Sequence, residues 1–169
     1  MHTVDSSRLW IVGGLDENLN HLSSSEFIQE NQTMQGPELP MPLQSHVMVN
    51  IQSDTTIVIG GFPSLDFVLD LDTCCKKVYI YQHKISKWSF GPNLIQGRIF
   101  HSAGLVTDEA TREKLIIVTG GRLGNGEHLK STEILLGNKW SKGKNKYIFL
   151  VIPKLLQTIF LFFKRLRQL

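Results

Sequence analysis

The stretch KLIIVTGGRLGNG, residues 114–126, runs from an apolar segment into four closely spaced glycines, and the role of these glycines decides the fold. They either cradle a phosphate group or end a β-strand in a turn. A dinucleotide-binding fingerprint reads G-x-G-x-x-G and opens a helix. Here the spacing differs, and the residues that follow contain a short apolar run closed by Gly137 and Asn138, which is typical of a strand and a turn. The strand interpretation is therefore favoured over the phosphate cradle.

The diglycine belongs to a unit that occurs three times. An apolar run ends in two glycines in LWIVGG (9–14), TIVIGG (56–61) and IIVTGG (116–121). A second short strand follows in SEFI (25–28), KVYIY (77–81) and STEIL (131–135). A third landmark closes each unit in TMQGPELP (33–40), WSFGPNL (88–94) and WSKG (140–143). Because the diglycines are 47 and 60 residues apart and the third landmarks 55 and 52, the pattern indicates one structural unit with loops of variable length.

These ordered landmarks resemble the kelch repeat, whose blades end their second strand in a diglycine and carry a tryptophan in the fourth. Kelch blades often carry an arginine and a histidine on the first strand, and GRIFHSAGLV supplies Arg98 and His101 for the third unit. The second unit keeps His46 in LQSHVMVNI but has Leu43 where the arginine would fall. The resemblance covers about residues 8–143.

The resemblance implies an all-β chain built from the antiparallel four-stranded blades of a kelch-type β-propeller. A partial blade is expected at 8–40 and full blades at 41–94 and 95–143, with the first strands of the full blades at 45–51 and 99–107. The first unit is expected to begin at its second strand, because only eight residues precede LWIVGG. Propellers normally close with about four to eight blades. An incomplete array therefore predicts a piece of a longer protein, the favoured alternative, or a ring completed by self-association.

Structural roles are expected for the repeated residues. A diglycine lets the backbone turn where a side chain would collide with a neighbouring strand, and a tryptophan fills the gap between adjacent blades. Thr33 stands where the first unit would carry this tryptophan. The recurring histidines predict a repeated structural hydrogen bond rather than a metal site. The residues given these structural roles are Gly13, Gly14, Gly60, Gly61, Gly120, Gly121, Trp88, Trp140, Arg98, His101 and His46.

The distribution of charge separates a repeat region from a tail. Residues 1–138 carry 15 acidic and 10 basic side chains, whereas residues 139–169 carry eight basic and no acidic ones. The repeat region is therefore mildly acidic, and nucleic acid is not expected as a partner. The basic and apolar tail at 144–169 contains no glycine, so it does not continue the repeat.

Three interpretations of this tail are open. Residues 147–163 form an apolar stretch of 17, close to the about 20 that a membrane anchor needs, but Lys154 interrupts it. Membrane contact is expected only through this stretch. A helix that covers the open blade face is the second interpretation. An end unrelated to the fold is the third and is favoured, because the composition changes abruptly after Lys142.

No catalytic, metal or cofactor chemistry is expected. The chain contains no G-x-S-x-G or H-E-x-x-H motif, and its two cysteines have no zinc or disulfide spacing. Some kelch-like propellers are copper oxidases, but the cysteine–tyrosine site they require has no match here. Cys74 and Cys75 are expected to be thiols in a polar loop. Because MHTVDSSR also lacks an apolar core, a cytoplasmic location is expected.

Function is expected in the loops after the diglycines, since their length varies while the strands repeat. The candidate partner-binding residues in these loops are Asp66, Phe67, Asp70, Arg122 and His128. The resemblance implies a protein-binding module. Kelch proteins commonly recognise substrates for cullin-type ubiquitin ligases, and others bind actin. The upstream BTB and BACK domains of ligase adaptors do not fit in the first eight residues, so ligase recruitment is not carried over; a membrane-tethered scaffold is the alternative.

Overall fold

The computed structural model describes residues 2–3, 8–30, 32–52, 54–63, 75–108 and 111–143. Within these ranges the chain is all-β, as predicted, with fourteen strands and a 3₁₀ turn at His83–Ile85. Three antiparallel sheets hold four strands each, and a two-stranded ribbon holds the other two. The C-terminal helix proposed from the sequence would lie outside the described residues.

Each four-stranded sheet is a meander of neighbouring strands in chain order. Sheet 1 contains β1 (His2–Thr3), β2 (Leu9–Leu15), β3 (His21–Gln29) and β4 (Gln32–Gln35). The ribbon pairs β5 (Leu43–Gln44) with β8 (Phe62–Pro63). Sheet 2 contains β6 (Val47–Gln52), β7 (Thr55–Ile59), β9 (Val78–Gln82) and β10 (Lys87–Phe90). Sheet 3 contains β11 (Ser102–Thr107), β12 (Lys114–Thr119), β13 (Thr132–Leu136) and β14 (Lys139–Lys142).

Sheet 1 differs from the prediction. The first unit was expected to begin at its second strand, and this expectation was wrong. His2 pairs with Trp10 and Thr3 with Leu9, which gives sheet 1 a short fourth strand along the free edge of β2. This strand has only two residues, so the few residues before Leu9 are enough to supply it.

The first strands of sheets 2 and 3 begin later than predicted. The sequence indicated strands from residues 45 and 99, whereas β6 starts at Val47 and β11 at Ser102. Ser45 and Phe100 have φ angles of 55° and 54°. At these φ angles a residue that is not glycine leaves the extended conformation, and both strands start after this bend.

Sheet 2 is the middle layer of the molecule. Alternate residues of its strands point to opposite faces, as the strand geometry requires. One face packs against sheet 1 and presents Met48, Val58, Tyr79 and Tyr81 to Trp10 and Val12. The other face packs against sheet 3 and presents Val49, Ile57, Ile59 and Val78 to Ile116, Val118, Leu135 and Trp140. Burial on both faces explains why the central strand is continuously apolar.

Successive sheets approach each other most closely at the diglycines. All six of these glycines have positive φ angles. A Cβ atom on Gly13 would lie 2.5 Å from the Leu43 carbonyl oxygen, and one on Gly60 would lie 2.7 Å from the Arg98 carbonyl oxygen. Leu43 and Arg98 belong to equivalent lead-in segments, residues 43–46 and 98–101, which precede the first strands of sheets 2 and 3. Gly13 and Gly60 therefore make room for the backbone of the next unit.

We expect Gly60→Ala to destabilise the protein more than Gly120→Ala. Both residues have similar φ angles, 59° and 66°, so both variants pay the left-handed penalty of about 1–2 kcal/mol. Among the described residues, however, a Cβ atom on Gly120 would have no neighbour closer than 3.9 Å. Overpacking at Gly60 should add about 1–3 kcal/mol to the loss of unfolding free energy, measured by urea denaturation. Equal losses of unfolding free energy would show that the close contact between Gly60 and the Arg98 carbonyl oxygen adds no penalty.

Candidate functional site

A buried ion pair holds the lead-in segment of sheet 3. The side chains of Arg98 and Glu133 are 0% and 2% exposed, and Arg98 Nη2 donates to Glu133 Oε1 at 2.8 Å. Arg98 Nε donates to the same oxygen at 3.2 Å, and Nη1 donates to the carbonyl oxygens of Gly120 and Ser131 at 2.8 and 3.0 Å. The guanidinium therefore joins the lead-in segment to the diglycine and to β13 of its own sheet.

The Glu133 carboxylate is also fully used. It accepts backbone N–H bonds from Ile95 at 2.7 Å and Gln96 at 3.0 Å, so it fixes the chain just before Arg98. Ser131 Oγ accepts from Arg98 Nη2 at 2.9 Å and donates to the Gln96 side-chain oxygen at 2.7 Å. Such complete pairing is what allows two charges to remain buried.

The second unit builds the same junction from apolar residues. Tyr79 pairs with Val58 in sheet 2 as Glu133 pairs with Val118 in sheet 3, so Tyr79 and Glu133 are equivalent. Leu43 replaces Arg98 and is fully buried in the same cluster as Tyr79. The missing arginine of the second unit is therefore matched by a missing carboxylate.

His46 and His101 hold equivalent positions in the two lead-in segments, where His101 is buried and His46 is half-buried. Each approaches the backbone just before the diglycine of the preceding sheet, at Val12 for His46 and at Ile59 for His101. Among the described residues, however, neither ring nitrogen of His101 has a hydrogen-bond partner of normal geometry, and His46 Nδ1 has none either. The predicted repeated hydrogen bond is thus reduced at His101 to a loose backbone contact.

Burial disfavours the charged form of both imidazoles. It lowers the pKa of His46 from 6.5 to about 4 and that of His101 from 6.5 to about 3. The Arg98 guanidinium is a further cause of the lowered pKa at His101. Both side chains are consequently neutral at pH 7.

The two repeated tryptophans lie between sheets. Trp140 is buried between sheets 2 and 3, and its Nε1 donates to the Pro92 carbonyl oxygen at 2.8 Å. Trp88 is half-buried, with its ring centroid 4.9 Å from that of Tyr81 and 6.0 Å from that of Trp10. Both positions are the ones that the repeat pattern predicted for large apolar rings.

Segments from all three sheets meet in what we call the loop-end surface, formed by His21, Phe62, Phe100, Arg122 and His128. The His21 ring stacks on Phe62 at 5.9 Å, and β8 joins Phe62 to the lead-in segment of sheet 2. The Phe100 N–H donates to the Ser45 carbonyl oxygen at 3.2 Å, which links the two lead-in segments. The surface is therefore continuous from sheet 1 to sheet 3.

Arg122 and His128 are held on this surface by backbone pairing. Arg122 exchanges two 2.9 Å backbone hydrogen bonds with Ile99 and bridges to His128. Its Nε also donates to the Gly126 carbonyl oxygen at 3.2 Å, which orients the exposed guanidinium. The structure thus brings together two of the five predicted partner-binding residues. The other three, Asp66, Phe67 and Asp70, lie outside the described residues.

Phe100 is the most unusual residue of the loop-end surface. Its side chain is 64% exposed, although it is a large aromatic ring, and its φ angle is 54°. A bulky residue in the left-handed region is a conformational outlier, and such strain concentrates at functional sites. The sequence placed Phe100 inside a strand, so neither its exposure nor its strain was predicted.

Glu133 is the second residue that the sequence did not single out. The signal was a lone acidic residue within the apolar strand STEIL. A carboxylate inside a buried strand requires a partner, and Arg98 was already known as a repeat residue. Cys75 is a thiol in a turn, in keeping with the predicted loop thiol, but it is buried.

The described residues contain neither a cluster of metal ligands nor a membrane-spanning helix. In the described ranges, no three histidine, cysteine or acidic side chains come together as metal ligands. None of the described residues forms a helix long and apolar enough to cross a bilayer. The stretch 147–163 lies outside those residues.

Neither the models of known protein families nor the curated proteins match this chain significantly. Function is therefore inferred from the residues themselves.

We expect Glu133→Gln to lower the free energy of unfolding by about 3–5 kcal/mol, because it leaves the buried Arg98 charge unpaired. Lys84→Gln is the control, since Lys84 forms a 3.0 Å ion pair with Asp54 but is 80% exposed. Breaking that pair should cost no more than about 1 kcal/mol. Urea denaturation measures both changes, and similar losses would contradict the structural role of the buried pair.

Acid should destabilise the protein through His46 and His101. Their folded pKa values lie below the unfolded value, so stability is complete above pH 6.5 and falls as the pH decreases toward 4. The limiting slope is about 1.4 kcal/mol per pH unit for each histidine. Denaturation at pH 7.5 and pH 5 should show this loss, and His101→Gln should reduce it. An unchanged slope in His101→Gln, or an equal reduction in the exposed variant His128→Gln, would refute the assignment.

Proposed function

We propose that this chain is a kelch-type β-propeller segment that binds a protein partner through the loop-end surface. The layered stacking of three four-stranded meanders supports this proposal, as does the recurrence of the diglycine and lead-in geometry between successive sheets. Sheets that stack face to face in this way leave their connecting loops free for recognition.

The observation that carries the proposal is Phe100. The Phe100 ring is exposed and contributes nothing to the core, and the backbone of this bulky residue is in the strained left-handed conformation. Replacing the residue with one that tolerates this conformation would lower the strain energy. Aromatic and arginine side chains dominate the energetics of protein interfaces. Phe100 and Arg122 lie on adjacent segments, since Ile99 pairs with Arg122, and both residues are exposed.

The rigidity of this surface also favours recognition. Backbone hydrogen bonds hold the Arg122 segment to the lead-in segment, and the lead-in segment is fixed in turn by the buried Arg98. A preorganised surface loses little conformational freedom on binding. Recognition of ubiquitin-ligase substrates and binding of actin filaments would both use a surface of this kind, and the identity of the partner distinguishes them.

We expect Phe100→Asn to weaken partner binding at least tenfold while leaving the protein as stable as before or more stable. Asparagine tolerates the left-handed conformation that phenylalanine disfavours. Phe90→Ser is the matched control, because Phe90 is 73% exposed but lies on the edge strand of sheet 2.

The experiment uses affinity purification of the full chain and both variants from cells of its source, with quantitative mass spectrometry. Partners lost with Phe100→Asn and retained with Phe90→Ser are then purified, and their Kd is measured for each variant. Sedimentation with purified actin filaments tests the actin-binding alternative directly. If no protein follows this pattern and actin filaments do not bind, the loop-end surface is not a partner site.

A further inference from the structure

The outer face of sheet 3 is buried, although no further sheet of the described residues lies on it. The residue three positions before each diglycine shows this most clearly. Trp10, Ile57 and Ile117 are equivalent and are 0%, 2% and 0% exposed. Sheet 2 covers Trp10, and sheet 3 covers Ile57. Among the described residues, nothing comparable covers Ile117.

Three further residues on this face share the burial of Ile117. Val106 pairs with Leu115, and Ile117 pairs with Ile134, so these four side chains point to the same side of sheet 3. Each is at most 8% exposed, and together they form a separate apolar cluster. Outside its own sheet, the one described strand with extensive contact to sheet 3 is β6, which lies on the opposite face. A bare sheet face would leave such side chains accessible to water.

Whatever covers this face does not have the lead-in segment that another repeat unit would bring. At both junctions between sheets, a carbonyl oxygen of the next lead-in segment approaches the first glycine, at Gly13 and at Gly60. At Gly120 the nearest atom to an added Cβ is the Leu129 carbonyl oxygen of the same unit, at 3.9 Å. The apolar side chains are therefore covered, while the place of a lead-in segment is open.

We propose that residues 144–169 of the same chain cover the outer face of sheet 3. The described part of the chain ends at Gly143, whose N–H donates to the Thr132 carbonyl oxygen at 2.7 Å, so the segment starts against this sheet. An extended chain spans about 3.3–3.6 Å per residue, so a few residues suffice to reach Ile117. Residues 147–163 supply the apolar side chains that the cluster requires, and the tail's basic residues remain for the solvent side.

The first test replaces Leu136 with the photo-crosslinking amino acid benzoylphenylalanine in the full chain. Leu136 follows Ile134 on the same face and is 45% exposed, so it accepts a larger side chain. Irradiation should produce monomers with crosslinks between position 136 and residues 144–169. Crosslinks to a second copy, crosslinks to residues 64–74, or the absence of any crosslink would each overturn the proposal. The same label at Phe90 is the control and should not reach the tail.

The second test measures the accessibility of the face without deleting the tail. Val106→Cys is a nearly isosteric replacement, and its thiol should react slowly with a labelling reagent in the full chain. Leu155→Asp combined with Phe162→Asp should accelerate this labelling at least tenfold, because a charged segment cannot cover an apolar face. Val49→Cys, buried between sheets 2 and 3, should stay slow in both backgrounds. Labelled peptides identified by mass spectrometry separate these thiols from the natural cysteines, and an unchanged rate at position 106 would refute the proposal.

Discussion

The close approach of one sheet to the lead-in segment of the next is the constraint on which the rest of this structure depends. The first glycine of a diglycine leaves the space that a carbonyl oxygen of the next unit occupies, as Gly60 does for Arg98. The Gly61 N–H then donates to the same Arg98 oxygen at 2.9 Å. Because this contact fixes the distance between successive sheets, it also determines how thick the apolar layers between them are.

The lead-in segments of sheets 2 and 3 are supported by different kinds of side chains at this contact. A lead-in segment that turns sharply under a diglycine needs an internal support. At sheet 3 the support is the buried pair of Arg98 and Glu133, in which every charged atom has a partner. At sheet 2 the apolar residues Leu43 and Tyr79 fill the equivalent space. Well-packed apolar residues commonly replace a buried ion pair without loss of stability, so both solutions are compatible with one fold.

The sequence predicts those features that follow from local patterns. Alternation, apolar runs and diglycines place eleven strands of three units close to their observed positions, and the short first strand of sheet 1 is the one they miss. Glu133 and Phe100 depend instead on contacts between segments far apart in the chain, such as the Glu133 bonds to Ile95 and Gln96. The late start of β11 has the same origin, since Phe100 bends where its N–H reaches Ser45. Local propensity contains no information about such pairings.

On sheet 3, the buried apolar cluster of the outer face and the exposed segment carrying Arg122 lie at different positions along the chain direction of β12. Val106 and Leu115 pair at the start of β12, whereas Gly120 and the segment carrying Arg122 follow its end. A cover placed over the apolar cluster can therefore leave Arg122 and His128 exposed, as they are observed. The space beside Gly120 among the described residues agrees with this separation, because a further blade would place its lead-in segment against Gly120 as well as cover the apolar cluster. Stability of the last sheet and recognition at the loop-end surface are thus physically separable, and substitutions in one region should leave the other intact.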